Sequence, residues 1–293
     1  MSADGKWSAL PSEFLVSFDG SFRIDAASTR PLEDLRKSAL GPARRRLTNE
    51  IGKLQRKLHA DNRYAALFVF QAMDAGGKDS TIRSVFTGVN PAGFQVVAFK
   101  APSDEELDHD FLWRVARRLP ERGRIGVFNR SHYEEVLIVR VHPELLAGQR
   151  LPICDRKTIW DDRFESIRSF EKHLADNGTV IVKFFLNVSF QEQTRRLIRR
   201  IDQPSRNWKF NPDDVKERER WPEHMRAFED ALNETSRPWA PWYAIPADDK
   251  PYMRLQVARI VQETLGSLGV DFPKVDEPAR LALAECRKVL KRQ

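Results

Sequence analysis

A lysine behind two glycines at the end of an apolar run is a pattern suited to holding phosphate. Residues 72–82 read Ala-Met-Asp-Ala-Gly-Gly-Lys-Asp-Ser-Thr-Ile, directly after the apolar run Ala65–Gln71. Gly76 and Gly77 let the backbone approach an anion closely and take torsions that other residues avoid. Amides at the start of the following helix point at the anion, and the helix dipole favours it. Lys78 adds a full positive charge beside a phosphoryl group in transit. The pattern departs from G-x-x-x-x-G-K-[ST]. Ala72 stands at the first glycine and Asp79 at the hydroxyl position, with Ser80 and Thr81 the nearest hydroxyls. Asp74 is a second carboxylate in the loop. Two carboxylates at a phosphate site call for divalent cations to offset them, so Asp74 and Asp79 are candidate ligands for Mg2+, with Mn2+ as a substitute. The competing reading is a plain Gly-Gly turn with Asp79 capping the next helix.

A second cluster follows another apolar run. Phe128-Asn129-Arg130-Ser131-His132-Tyr133-Glu134-Glu135 sits where a strand would end, the edge at which open α/β sheets bind ligands. Asn129 takes the place of a Walker B aspartate, and Arg130 can fork onto phosphate oxygens. Glu134 and Glu135 would begin a helix, where acidic residues also suit the dipole. His132 reads more readily as a packed histidine than as a catalyst. Further on come Arg195, Arg196, Arg199, Arg200, Arg206, Lys209, Lys216 and Arg218. Residues 195 and 199 lie one helical turn apart, as do 196 and 200. Such a doubled row suits a chain of repeating phosphates; the alternative is a solvated face balanced by Asp202, Asp213, Asp214 and Glu217.

These groups need a scaffold. Ala65–Gln71, Phe94–Phe99, Arg124–Phe128, Thr179–Leu186 and Trp242–Pro246 are short apolar runs suited to buried strands. Helical segments are expected at Asp79–Phe86, Glu105–Arg118, Lys157–Asp176, Ser189–Arg200, Pro212–Glu234, Tyr252–Leu268 and Pro278–Arg292. Strand–helix alternation predicts an α/β fold, a parallel sheet with helices on both faces. Residues 1–60 read as a helical extension, with a stripe at Leu47, Ile51, Leu54 and Leu58 and a break at Gly41-Pro42. The expected division is 1–60, a core at 61–270 with a lid at about 195–235, and a C-terminal helix at 271–293.

The chain has 293 residues, 41% hydrophobic and 31% charged, enough to bury a core without metal or disulfide staples. Cys154 and Cys286 are its only cysteines and form no CxxC pair, which argues against structural zinc and a disulfide framework. No apolar stretch is long enough for a signal core or a membrane helix, so a cytoplasmic protein is expected. The net charge of +7 favours polyanionic partners.

Met73–Ser80 and Phe128–Glu135 resemble the two signature loops of the polyphosphate kinase 2 family. Asp110-Phe111-Leu112-Trp113-Arg114, Asn207-Trp208-Lys209-Phe210, Ala240-Pro241-Trp242-Tyr243 and Ile245-Pro246-Ala247-Asp248 extend the likeness over roughly residues 32–268. The resemblance implies a P-loop kinase core with a helical lid. It implies Mg2+-dependent transfer of a terminal phosphoryl group between inorganic polyphosphate and nucleotides. By the same resemblance Asp74 orients or deprotonates the acceptor phosphate and holds metal. Lys78 binds the phosphoryl in transit, Asp79 serves the metal-bound phosphate, and Arg130 clamps the nucleotide. Gly76, Gly77, Ser80, Thr81, Asn129 and Glu134 complete the expected nucleotide and phosphate site, and the doubled basic row gives Arg195, Arg199, Arg200 and Lys209 as the expected polyphosphate contacts. Asn129 with Glu134 resembles the subgroup acting on both nucleoside mono- and diphosphates, where Glu134 could position a metal-bound water. A homo-oligomer, dimer or tetramer, is implied too. Two other functions compete: an ATP-dependent nucleoside or nucleotide kinase, which needs no doubled arginine row, and a nucleic-acid-binding module, which Asp74 and Asp79 would oppose.

Overall fold

The computed structural model describes residues 6–152, 155 and 158–292. Cys154, and the Lys157 start expected for the long helix, lie outside the described residues, as do Met1–Gly5. In chain order the elements are α1 (Lys37–Asp61), β1 (Ala65–Gln71), α2 (Lys78–Val85), β2 (Phe94–Ala98), α3 (Asp104–Leu107), α4 (Trp113–Ala116) and β3 (Ile125–Asn129). Then follow α5 (Glu134–Val141), α6 (Pro143–Gly148), α7 (Ile159–Asp176), β4 (Thr179–Asn187), α8 (Phe190–Asp202), α9 (Asp213–Glu217), α10 (Trp221–Thr235), β5 (Trp242–Pro246), α11 (Lys250–Gly266) and α12 (Glu277–Leu290).

The five strands form one parallel sheet in the order β2-β3-β1-β4-β5. β1 is central, and Ala65–Gln71 is buried along its whole length. Burial on both faces explains a continuous apolar run in place of an alternating one. One helix group, α1, α2 and α11, packs together, and α5, α7 and α10 form another. Strands β2 and β3 lie to one side of β1, and β4 and β5 to the other. The chain thus changes direction across β1, where parallel sheets open a crevice beyond their carboxyl ends. Register sets Phe70 of β1 opposite Asn129 of β3, so the two candidate loops leave the sheet side by side.

Several helices differ from expectation. α1 runs unbroken through Gly41-Pro42, with Pro42 inside it. Proline at the sixth helical position forfeits one hydrogen bond close to the helix end, a local loss that burial of Ile51 and Leu58 outweighs. Residues 6–36 are not helical. They form a strap along β5: Val16 N–H donates to Trp242 O (3.0 Å) and Ala244 N–H to Phe14 O (2.8 Å). An irregular strap has no hydrophobic period to reveal it, yet it satisfies a sheet edge and buries Trp7, Phe14 and Val16. Glu105–Arg118 divides into α3 and α4, because Asp110 accepts from Leu112 N–H (2.9 Å) in a turn between them. Pro212–Glu234 divides into α9, a 3-10 turn and α10. Within the expected lid, α10 belongs to the core, burying Ala227, Phe228, Ala231 and Leu232. Residues 203–220 form the outlying part.

Candidate active site

The loop between β1 and α2 is built around its glycines. A Cβ on Gly76 would sit 2.6 Å from Ala72 Cβ and 2.8 Å from Met73 O, so no side chain fits. Gly77 takes φ +108°, a conformation strained for other residues. Ala75 and Arg130 also have positive φ, 59° and 65°. Non-glycine residues held there store strain that recurs at functional sites. Lys78 opens α2, and its Nζ donates to Ala72 O across the loop (2.7 Å).

Asp74, Lys78 and Arg130 come together. Arg130 Nη2 lies 3.0 Å from Asp74 Oδ1, and Nη1 lies 3.2 Å from Glu134 Oε2. Burial opposes ionisation of Asp74, but Lys78, Arg130 and Arg200 outweigh it and hold the carboxyl below its ordinary value. Burial lowers the Lys78 ammonium, with Asp74 partly opposing it. Glu134 and Asp74 raise Arg130 against burial. Asn129, at the tip of β3, donates to Asp79 Oδ1 (2.7 Å), and Lys209 Nζ approaches Asp79 Oδ2 at 3.7 Å. Asp79 therefore stands at the mouth, tied to the second loop and to the outlying segment 203–220. Arg130 engages one oxygen of Asp74 only, and Asp79 is largely exposed, so both carboxylates retain capacity for a divalent cation.

Beyond the loop lies a cavity of about 570 Å³ lined by ten basic side chains and two carboxylates. It receives Asp74, Gly76, Gly77, Lys78, Asp79, Ser80, Asn129, Arg130, Arg199, Arg200 and Lys209 from the expected set. Three expected residues are absent from its wall. Thr81 is buried and donates to Gly77 O (3.0 Å), bracing the loop from behind. Glu134 pairs with Arg130 Nη1 (3.2 Å) and helps to hold its fork in place. Arg195 points to solvent and pairs with Glu192 (3.0 Å). The face of α8 turned to the cavity is 196/199/200, an i, i+3, i+4 set.

Within that face Arg196 is buried and differs from its neighbours. It donates to Ala75 O (3.1 Å), Gly76 O (2.8 Å) and Ala247 O (2.5 Å). It is the brace that ties the phosphate loop to the end of β5. Arg200 Nη1 donates to Asp214 Oδ2 (3.0 Å) of α9, in the outlying segment. Burial, with Asp74, pushes Asp214 up to about 6.

Arg83, Lys250 and Arg254 also line the cavity. Arg83 is i+4 from Asp79 on α2, so helical spacing from the loop could have found it, whereas Lys250 and Arg254, i, i+4 on α11, reach the cavity only through tertiary packing. Burial, with Arg196, Arg254 and Arg199 nearby, pushes Lys250 down to about 8. A second cavity, about 460 Å³, shares Ser80, Arg83 and Arg254 with the first and adds Arg44 and Arg45 of α1. The basic lining thus continues from the loop across α2 to α1.

Amides, a lysine and a surplus of guanidinium groups at the tip of a central parallel strand suit transfer of phosphoryl groups between multiply charged anions. Fold and site define a phosphotransferase of the P-loop kinase type. The family model for Polyphosphate kinase 2 (PPK2) matches residues 35–271, and the chain belongs to that family. It is 52% identical over 242 residues to the ADP-polyphosphate phosphotransferase of Rhodopseudomonas palustris, covering 82% of this chain and 84% of the relative. It is 42% identical over 276 residues to the AMP/ADP-polyphosphate phosphotransferase of Meiothermus ruber, covering 93% and 99%. The crystal structure of polyphosphate kinase 2 from Arthrobacter aurescens superposes with a TM-score of 0.85 at 36% identity, covering 95% of this chain and 98% of that one. No described helix is long and apolar enough to cross a membrane.

Proposed function

We propose that this protein transfers the terminal phosphoryl group between inorganic polyphosphate and nucleotides, converting AMP to ADP and ADP to ATP. One observation carries this reading: the ten basic side chains facing two carboxylates around the cavity. A triphosphate donor alone leaves most of that charge unused, which disfavours the ATP-dependent nucleoside or nucleotide kinase. A long phosphate chain lying from Lys78 past Arg83 and Arg254 towards Arg44 and Arg45 would use it. Arg199, Arg200, Arg206, Lys209 and Lys250 would enclose the same anion from the other side.

Phosphoryl transfer through a loose transition state asks mainly for positioning and charge neutralisation. Lys78 would leave Ala72 O and follow the phosphoryl in transit. Arg130, fixed by Asp74 and Glu134, would present its fork to the nucleotide phosphate. Asp74 would orient the acceptor oxygen or take its proton. Asp79 would share the phosphate site with Asn129. A bound Mg2+, or Mn2+, held by Asp74 and Asp79, would neutralise phosphate charge. Lys209 would exchange Asp79 for substrate as the lid settles. The exposed helix α12, with Leu281, Leu283 and Leu290 in solvent, would serve assembly into a dimer or tetramer.

The test is a coupled assay with Mg2+, long polyphosphate and AMP, ADP or GDP in turn. ADP formed from AMP and ATP formed from ADP support the reading. Phosphorylation with ATP as donor and no response to polyphosphate supports the ordinary kinase.

A further inference from the structure

At the foot of the lid three side chains from different elements converge. His142 joins α5 to α6, Glu217 ends α9, and His224 lies in the first turn of α10. His142 Nε2 lies 2.9 Å and His224 Nε2 2.8 Å from the same oxygen, Glu217 Oε2. One ligand atom from each residue lies within 4.8 Å of the others. None of the three lines the phosphate cavity.

A single ion pair would account for one histidine beside Glu217. Two imidazole nitrogens converge on one carboxylate oxygen, with His224 buried, and the three residues match the donor set of an open zinc site, whose fourth position takes water. His142 also has an outer partner: its Nδ1 lies 3.1 Å from Glu144 Oε1. A carboxylate there fixes the ring and leaves Nε2 for a metal. Imidazole donors select Zn2+ and its neighbours over Mg2+, which prefers oxygen alone. The carboxylates at the phosphate loop have the opposite preference.

We propose that His142, Glu217 and His224 bind a Zn2+-class ion that pins the base of the lid to the core. Glu217 follows Asp214 by three residues, and Asp214 is held by Arg200. Fixing Glu217 therefore fixes the segment that sets Arg200 over the cavity. The site does not depend on which nucleotide the enzyme accepts.

The experiment titrates chelator-treated, full-length protein with Co2+ in excess Mg2+, followed by its visible d–d bands and by displacement with Zn2+. One equivalent of Co2+ in low-coordinate geometry is expected. Glu217→Gln, at a part-exposed position that keeps side-chain size, should weaken binding at least tenfold, and His142→Ala likewise. Asp79→Asn should leave it unchanged. Zn2+ should slow limited proteolysis within residues 203–220 of the unsubstituted protein and not of Glu217→Gln. Binding that excess Mg2+ or Asp79→Asn removes, or that survives Glu217→Gln, overturns the site. Proteolysis indifferent to Zn2+ overturns the pinning.

Discussion

Arg196 and Arg199 lie within one turn of α8 and have different tasks. Removing Arg196 strands the buried carbonyls of Ala75, Gly76 and Ala247, each at about 1–3 kcal/mol. Arg196→Ala should therefore lower stability in urea unfolding as well as activity. Arg199→Ala, at an exposed cavity wall, should leave unfolding unchanged and raise KM for polyphosphate. Adjacent arginines look alike in a sequence, and burial of Arg196 depends on a contact with Ala247, some fifty residues away. That is why the paired-row reading placed Arg195 in the site. Lys250 makes a prediction of the other kind. Its ammonium is depressed to about 8 in the free enzyme, and a bound polyanion would restore the proton. Polyphosphate binding should then take up a proton above that pH, and affinity should fall as pH rises through it. Calorimetry at pH about 9, in buffers of different ionisation enthalpy, checks this through linkage. Lys250→Met should abolish the uptake; its persistence in that variant would assign the proton elsewhere.

The second signature loop is held by a buried ladder that joins three elements. Lys183 of β4 is fully buried and donates to Glu171 Oε2 (2.5 Å) of α7, to Tyr133 Oη (2.8 Å) and to Thr235 O (2.9 Å) of α10. Tyr133 also donates to Glu171 Oε1 (2.9 Å), and His132 Nε2 lies 3.3 Å from the same oxygen. Burial pushes the Tyr133 phenol well up, so it remains a donor at any working pH. The ladder fixes residues 131–133 and hence the direction in which Arg130 leaves β3. Lys183→Met should cost about 3–5 kcal/mol, since it leaves the buried Glu171 carboxylate without its ammonium partner. Replacing Lys183 and Glu171 together by methionine should recover much of that loss in urea unfolding. In the sequence Lys183 is only an interruption in an apolar run, and nothing local names its partners.

At the scale of the molecule, the five strands were legible because each is a continuous apolar run between charged helices. The phosphate loop was legible because Gly76, Gly77 and Lys78 must be adjacent. The strap of residues 6–36 was not, since it gains its order from the edge of β5 and has no period of its own. The basic path was half legible: α8 advertised its arginines, while Arg83, Arg254, Arg44 and Arg45 converge only when α1, α2 and α11 pack. A path of that length predicts that KM for polyphosphate falls as the chain lengthens, then levels off once the anion reaches α1. Arg45→Glu should move that plateau to shorter chains, measured with size-fractionated polyphosphate. Added salt should raise KM for polyphosphate by screening.

The central claim is that the loop from Gly76 to Ser80 neutralises phosphate charge during transfer, and Lys78→Ala tests it most directly. The measurement is the initial rate of ATP formation from ADP, polyphosphate and Mg2+, beside the thermal unfolding midpoint. The expected result is a rate lower by about two orders of magnitude or more, as for loss of a principal electrostatic contact, with the midpoint unchanged. A folded Lys78→Ala variant working within a few-fold of the original would contradict it.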